Sequence, residues 1–145
     1  MSIPVTDPRT LVGGSVMDLN VLAIVAGAIV AFLLSGAWYG VLGGQLAQLH
    51  EAYARQSHPA ATTMVVELVR NAVVAVVIAG LADQIGIDAL SAAVVLALVL
   101  WVAFPVVLLT GSVFHEHVPP RLAVIHAGDW LMKLLAITAI VAVWQ

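Results

Sequence analysis

Charge is what this sequence has least of. Asp, Glu, Lys and Arg make up 9% of its 145 residues, against roughly 25% in an ordinary soluble domain. With 63% hydrophobic residues and a mean hydropathy of +1.11, the chain cannot hide its apolar surface inside so small a globule. A water-soluble fold is excluded on that ground, and the lipid bilayer is the first partner expected. Cysteine is missing altogether, which excludes disulfides, thiolate metal sites and a cysteine nucleophile, and leaves the redox compartment open. No basic run points to nucleic acid or to strong attraction to an anionic membrane surface. A P-loop, GxGxxG, GxSxG and HExxH are all absent, and Ser35, Ser91 and Ser112 have no base at a recognisable spacing. The expectation is therefore a protein that is not an enzyme and carries no cofactor. Strand alternation and low-complexity tails are missing too. The leader 1–20 has one Arg and two Asp rather than a basic stretch, so the first helix is expected to stay as both targeting signal and anchor.

What the chain does have is four apolar runs. They predict helices over about 19–42, 62–82, 87–113 and 121–144, each near the 20 residues that cross a hydrocarbon core of about 30 Å. The expected organisation is a tail over 1–18 and one domain over 19–145: an all-α polytopic membrane protein, a four-helix antiparallel bundle with short loops. Neighbours in sequence should be neighbours in space. Asp18 or Asn20 suits the first N-cap. Leu46, Leu49 and Tyr53 within the loop 43–61 have the spacing of a short surface helix. Pro105 should kink the third helix and free a carbonyl near Trp101. Pro119 and Pro120 lead into the fourth. In the first helix Ala23, Gly27, Ala31 and Ser35 recur every four residues, and Gly36 and Gly40 form a second pair. Such small residues let backbones approach closely in lipid. Trp38 and Tyr39 stand where amphipathic rings prefer the interface. The loops 43–61 and 114–120 carry Arg55 and Arg121, and the terminal side carries Arg9. The positive-inside rule then puts the two loops in the cytoplasm and both termini on the opposite side.

The fourth run, RLAVIHAGDWLMKLLAITAIVAVWQ, carries His126, Asp129 and Lys133. On a helix these fall at i, i+3 and i+7, within about 60° of one another. Ionisable groups at that depth are costly and need partners. The second run supplies Glu67, Arg70 and Asn71. In an antiparallel bundle the second and fourth helices run parallel, and residue counting puts Glu67 at about 8 Å, Asp129 at about 10 Å, Arg70 at about 12 Å and Lys133 at about 16 Å from their starts. Two acids and two bases thus share one level and sum to neutral. A polar clasp that fixes helix register would have this form; a proton or ion relay, or a site for a polar solute, would use the same residues with His126 as a titratable neighbour. His50, His58, His115 and His117 lie in the two loops on one side. They are N ligands suited to zinc, though His115-x-His117 is the only close spacing and polar loop residues near headgroups would look the same.

Four stretches in order complete the reading: DLNVLAIVAGAIVAF and SGAWYG in the first helix, LWVAFPVVLLTGSVF in the third and IHAGDWLMKLL in the fourth. From Asp18 to Val143 the chain resembles DUF1761, a bacterial domain of unknown function. The resemblance implies a small membrane protein with four helices and no assigned activity, and it carries over no functional residue. The function expected is a non-enzymatic oligomeric scaffold, or an accessory subunit of a larger complex, in the bacterial inner membrane; the alternative is a transporter or channel for a small ion, proton or polar solute.

Overall fold

The structure, a computed structural model, describes residues 19–51 and 59–144. The tail 1–18, and with it Asp18, lies outside the described residues, as do Tyr53, Arg55 and His58. Four helices follow one another: α1 (Val21–Leu49), α2 (Ala60–Ile85), α3 (Leu90–His115) and α4 (Pro120–Val143). Each is long and apolar enough to cross a membrane. There is no strand among the described residues.

The helix ends obey local rules. Asn20 caps α1, its Oδ1 accepting from the Ala23 N–H at 3.1 Å, while its Nδ2 donates to the carbonyl of Trp144. Both ends of the described chain are thereby joined on one side of the bundle. Gly86 closes α2 in the left-handed conformation, φ 68°, where a side chain would be strained. Pro120 is the first residue of α4, where its missing N–H costs nothing.

α4 is the hub: α1, α2 and α3 all pack on it, and α1 also packs on α2. It is the least apolar of the four, with mean hydropathy 1.6, and the most enclosed, with 39% of its apolar window buried. α3 is the most apolar at 2.9 and the least enclosed at 17%. In lipid that ordering is the stable one, because polar side chains belong inside the bundle and apolar ones are at no disadvantage outside. The core beneath is Ala31, Ala75, Ile78, Ala97, Ile137 and Val141, all 1% exposed or less.

Two expectations need correction. First, α1 does not end near 42 but runs on to Leu49, so the expected loop 43–61 begins as helix. Leu42, Leu46 and Leu49 keep to one face and pack with Leu122 and Ile125 of α4, and that burial carries the helix through Gly43 and Gly44. Second, sequence neighbours are not all spatial neighbours: beyond the turn at Gly86 the α2 and α3 backbones stay apart, and α3 lies on α4 instead. Pro105, expected to kink α3 and free a carbonyl near Trp101, lies within the helix without ending it. The helix widens to a π-turn over Val102–Val106, a common way for a membrane helix to absorb a proline, and the ring itself is buried.

Candidate functional site

The side chains that matter lie in the loop-side half of the bundle. His126, Asp129 and Lys133 project from one stripe of α4 toward α1 and α2. Asp129 is an acceptor-only carboxylate, and it finds three donors. Its Oδ1 accepts from Ser35 Oγ at 2.5 Å. Its Oδ2 pairs with Lys133 Nζ at 2.8 Å and takes a longer contact, 3.4 Å, from the Tyr39 hydroxyl. Tyr39 shares a 2.7 Å hydrogen bond with His126 Nδ1, the two rings tilted at 53° with centroids 5.8 Å apart. Lys133 reaches on to Glu67 Oε2 at 3.6 Å and lies 5.6 Å from the centre of the Trp130 ring, within cation–π range. The other oxygen of Glu67 receives Arg70.

Burial is graded along this chain of contacts. The side chains of Asp129 and Lys133 are 3% and 4% exposed, Glu67 is 28% and Arg70 is 53%. The innermost pair is desolvated, so losing one partner there costs far more than at an exposed pair. Asn71, one turn beyond Glu67, is buried, and its Nδ2 has no hydrogen-bond partner among the described residues.

Two indoles hold α4 from either side. Trp38 of α1 donates to the carbonyl of Ile125 at 3.0 Å, and Trp101 of α3 to that of Ala127 at 2.8 Å. Trp38 can come so near because residue 128 is glycine. A Cβ there would stand 2.7 Å from the indole.

The geometry brings Glu67, Arg70, Asp129 and Lys133 into one network and joins His126 to it through Tyr39. Ala23, Gly27, Ala31 and Ser35 are buried, whereas Gly36 and Gly40 are exposed with nothing near them. A step of one residue turns a helix by 100°, so the second pair of small residues cannot share the face of the first within one chain. His50, His115 and His117 are exposed. Among the described residues no three His, Asp or Glu side chains come close enough to hold a metal ion. Sequence reasoning missed Ser35 and Tyr39 as polar partners and Trp38 as a backbone anchor. A signal for Tyr39 was there: the four-residue spacing of Ala23, Gly27, Ala31 and Ser35 lands on it at the next step.

A polar network within apolar helices defines a class, a four-helix bundle of membrane type with a buried ionic core. The chain belongs to DUF1761, a family of proteins of unknown function, whose model matches residues 22–142. No curated protein matches it, and no solved structure does.

Proposed function

We propose that this is a non-enzymatic structural protein of the bacterial cytoplasmic membrane, a scaffold or accessory subunit whose ionic network clasps α1, α2 and α4 in register. The ends of the helices joined by 50–59 and by 116–119 face the cytoplasm, in keeping with Arg121 and Arg55 on that side. The chain associates with copies of itself or with a larger complex, and the outward Gly36 and Gly40 of α1 suit close helix contact there.

One observation carries the reading: the network stops halfway. Among the described residues the buried polar or charged side chains are Ser35, Asn71, Asp129, Lys133 and Thr138. Thr138 lies beyond Lys133, yet its hydroxyl is spent on the Leu134 carbonyl at 2.8 Å. From Lys133 to the Trp144 end, about 16 Å of helix, the buried interior is otherwise apolar: alanine, glycine, isoleucine, leucine and valine. A path for ions through one protomer needs polar lining across that distance; a clasp does not.

The test is a pair of substitutions in detergent and in liposomes. Lys133→Met leaves Asp129 without its cation and should cost about 3–5 kcal/mol of stability. Adding Asp129→Leu removes the stranded charge and should restore most of it, because a buried ion pair and a hydrophobic pair of similar size differ little. Proteoliposomes of the unaltered chain should show no proton or ion flux above empty vesicles. A flux that Lys133→Met abolishes while stability is unchanged would establish a transport route instead, and a monomer in mild detergent with no co-purifying protein would end the scaffold reading.

A further inference from the structure

A single proton decides how α1 is tied to α4. The Tyr39 hydroxyl stands between two acceptors, His126 Nδ1 at 2.7 Å and Asp129 Oδ2 at 3.4 Å. It has one proton to give. The shorter contact is an ordinary hydrogen bond, whereas the longer lies beyond the usual O–H···O range of about 2.5–3.0 Å. The hydroxyl proton therefore points to the imidazole. That requires a neutral ring, with its own proton on Nε2 and a bare Nδ1. We propose that His126 is a proton sensor: when its ring takes a second proton, the Tyr39 hydroxyl turns from His126 to Asp129 and adds a second bond between α1 and the buried carboxylate.

The added proton comes from water and ends on Nδ1, while Nε2 keeps its own. An Nδ1–H donates and no longer accepts, so the Tyr39 oxygen now accepts from it. The phenol proton stays on its oxygen and swings to Asp129 Oδ2. The 3.4 Å gap then closes to about 2.7 Å, the length of a hydroxyl–carboxylate bond. Before the turn Asp129 has one short bond from α1, that of Ser35 Oγ at 2.5 Å; after it there are two. The same oxygen, Oδ2, holds Lys133 Nζ at 2.8 Å, so the turn reaches the ion pair directly. His126 is half-buried and lies about 9 Å along α4 from Pro120, whereas Asp129 is deeper and 2% exposed. A proton from the loop side meets the imidazole before the ion pair. The charged groups that act on the ring are Asp129 and Lys133 of α4 and Arg70 of α2. α1 faces it with Tyr39, and α3 has no titratable side chain from Leu90 to Phe114. Among all of these, imidazole is the one whose charge ordinarily changes between about pH 5 and pH 8.

The experiment uses the full chain in lipid nanodiscs, from about pH 5 to about pH 8, with Tyr53→Phe so that Tyr39 is its one tyrosine. The tyrosine Raman doublet distinguishes a hydroxyl that only donates from one that donates and accepts at once. It should pass from the first form to the second as the pH falls. The midpoint should match that of the ring-nitrogen resonances of His126, which should show the Nε2–H tautomer at the upper end of the range. His126→Gln should hold the doublet constant throughout. Stability gives a second reading: Ser35→Ala should cost less below that midpoint than above it, because Tyr39 then supplies the other bond from α1. A doublet that stays fixed while His126 titrates, an Nδ1–H tautomer in the neutral ring, or no titration of His126 within the range would each overturn the proposal. So would the same change of the doublet in His126→Gln. The main reading is taken with His126 in place, so it stands where His126→Gln does not fold. A clasp and a transport route would both contain Tyr39 and His126 as they are, and none of these outcomes depends on which of the two the ionic network is.

Discussion

Replacing Gly128 by alanine tests how closely α1 and α4 are fitted. In an isolated helix the change should help, by about 1 kcal/mol of backbone propensity. Here the new methyl would lie 2.7 Å and 3.2 Å from two atoms of the Trp38 six-membered ring. Trp38 cannot simply swing aside, because its indole N–H is bonded to the Ile125 carbonyl at 3.0 Å. Forcing a methyl into a packed contact costs about 1–3 kcal/mol, and losing the indole bond adds about 0.5–1.5 kcal/mol. Set against the propensity gain, the net loss is about 1–3 kcal/mol. Chemical unfolding in detergent micelles, followed by circular dichroism, reads it directly. Gly27→Ala is the matched comparison: that methyl would stand 3.6 Å from Ile137, an ordinary contact, so stability should hold or rise. In a Trp38→Phe background the ring atoms that obstruct residue 128 are gone, and Gly128→Ala should become nearly neutral, a coupling of at least about 1 kcal/mol. If Gly128→Ala stabilises the otherwise unaltered chain, or costs the same in both backgrounds, the close approach of Trp38 to α4 is wrong.

Two further substitutions probe the polar core by the same unfolding measurement. Ser35→Ala removes one of the donors to the buried Asp129 carboxylate and should cost about 1.5–3 kcal/mol, the range for a hydrogen bond to a charged group; a loss under 0.5 kcal/mol would mean that Tyr39 and Lys133 alone satisfy the acid. Asn71→Leu should be neutral or stabilising by up to about 2 kcal/mol, because it replaces a buried amide whose Nδ2 has no partner with an apolar side chain of similar size. A large loss there would reveal a partner for that amide in the assembled protein.

The pairing of α2 with α4 was legible in the sequence, and the reason is physical. Ionisable side chains within apolar helices must find each other, and counting rise per residue puts Glu67, Asp129, Arg70 and Lys133 in one slab; Glu67 and Lys133 stand 3.6 Å apart. The contribution of α1 was harder to read. Tyr39 and Trp38 are amphipathic rings that suit a membrane interface equally well, so their residue types did not distinguish a headgroup anchor from a hydrogen bond to α4. The splay of α3 was not legible at all. Every face of LSAAVVLALVLW is apolar, and in lipid such a helix gains nothing by turning one face inward rather than another. Only the small residues Ala93 and Ala97, which are fully buried, mark the side that packs. The length of α1 was misread because Gly43 and Gly44 resemble a helix end, while the leucines beyond them are held by burial against α4.

The position of the ionic network along the membrane matches the lengths of the connections between helices. On the terminal side α2 and α3 meet through a turn closed by Gly86, and Asn20 bonds the end of α4. On the loop side α1 and α2 are separated by the longest connection in the domain, from His50 to Pro59. Closing a longer connection costs more chain entropy, so helices joined that way need contacts of their own to stay in register. Ser35 and Tyr39 on α1, Glu67 on α2, and Asp129 with Lys133 on α4 supply those contacts at that end. α3 reaches α4 through the short link 116–119 and has no part in the network; the Trp101 bond to Ala127 holds it instead. Bonds of low directional tolerance thus lie at the end of the bundle with the longest connection, and the far half, joined at Gly86 and by Asn20, is left to apolar packing.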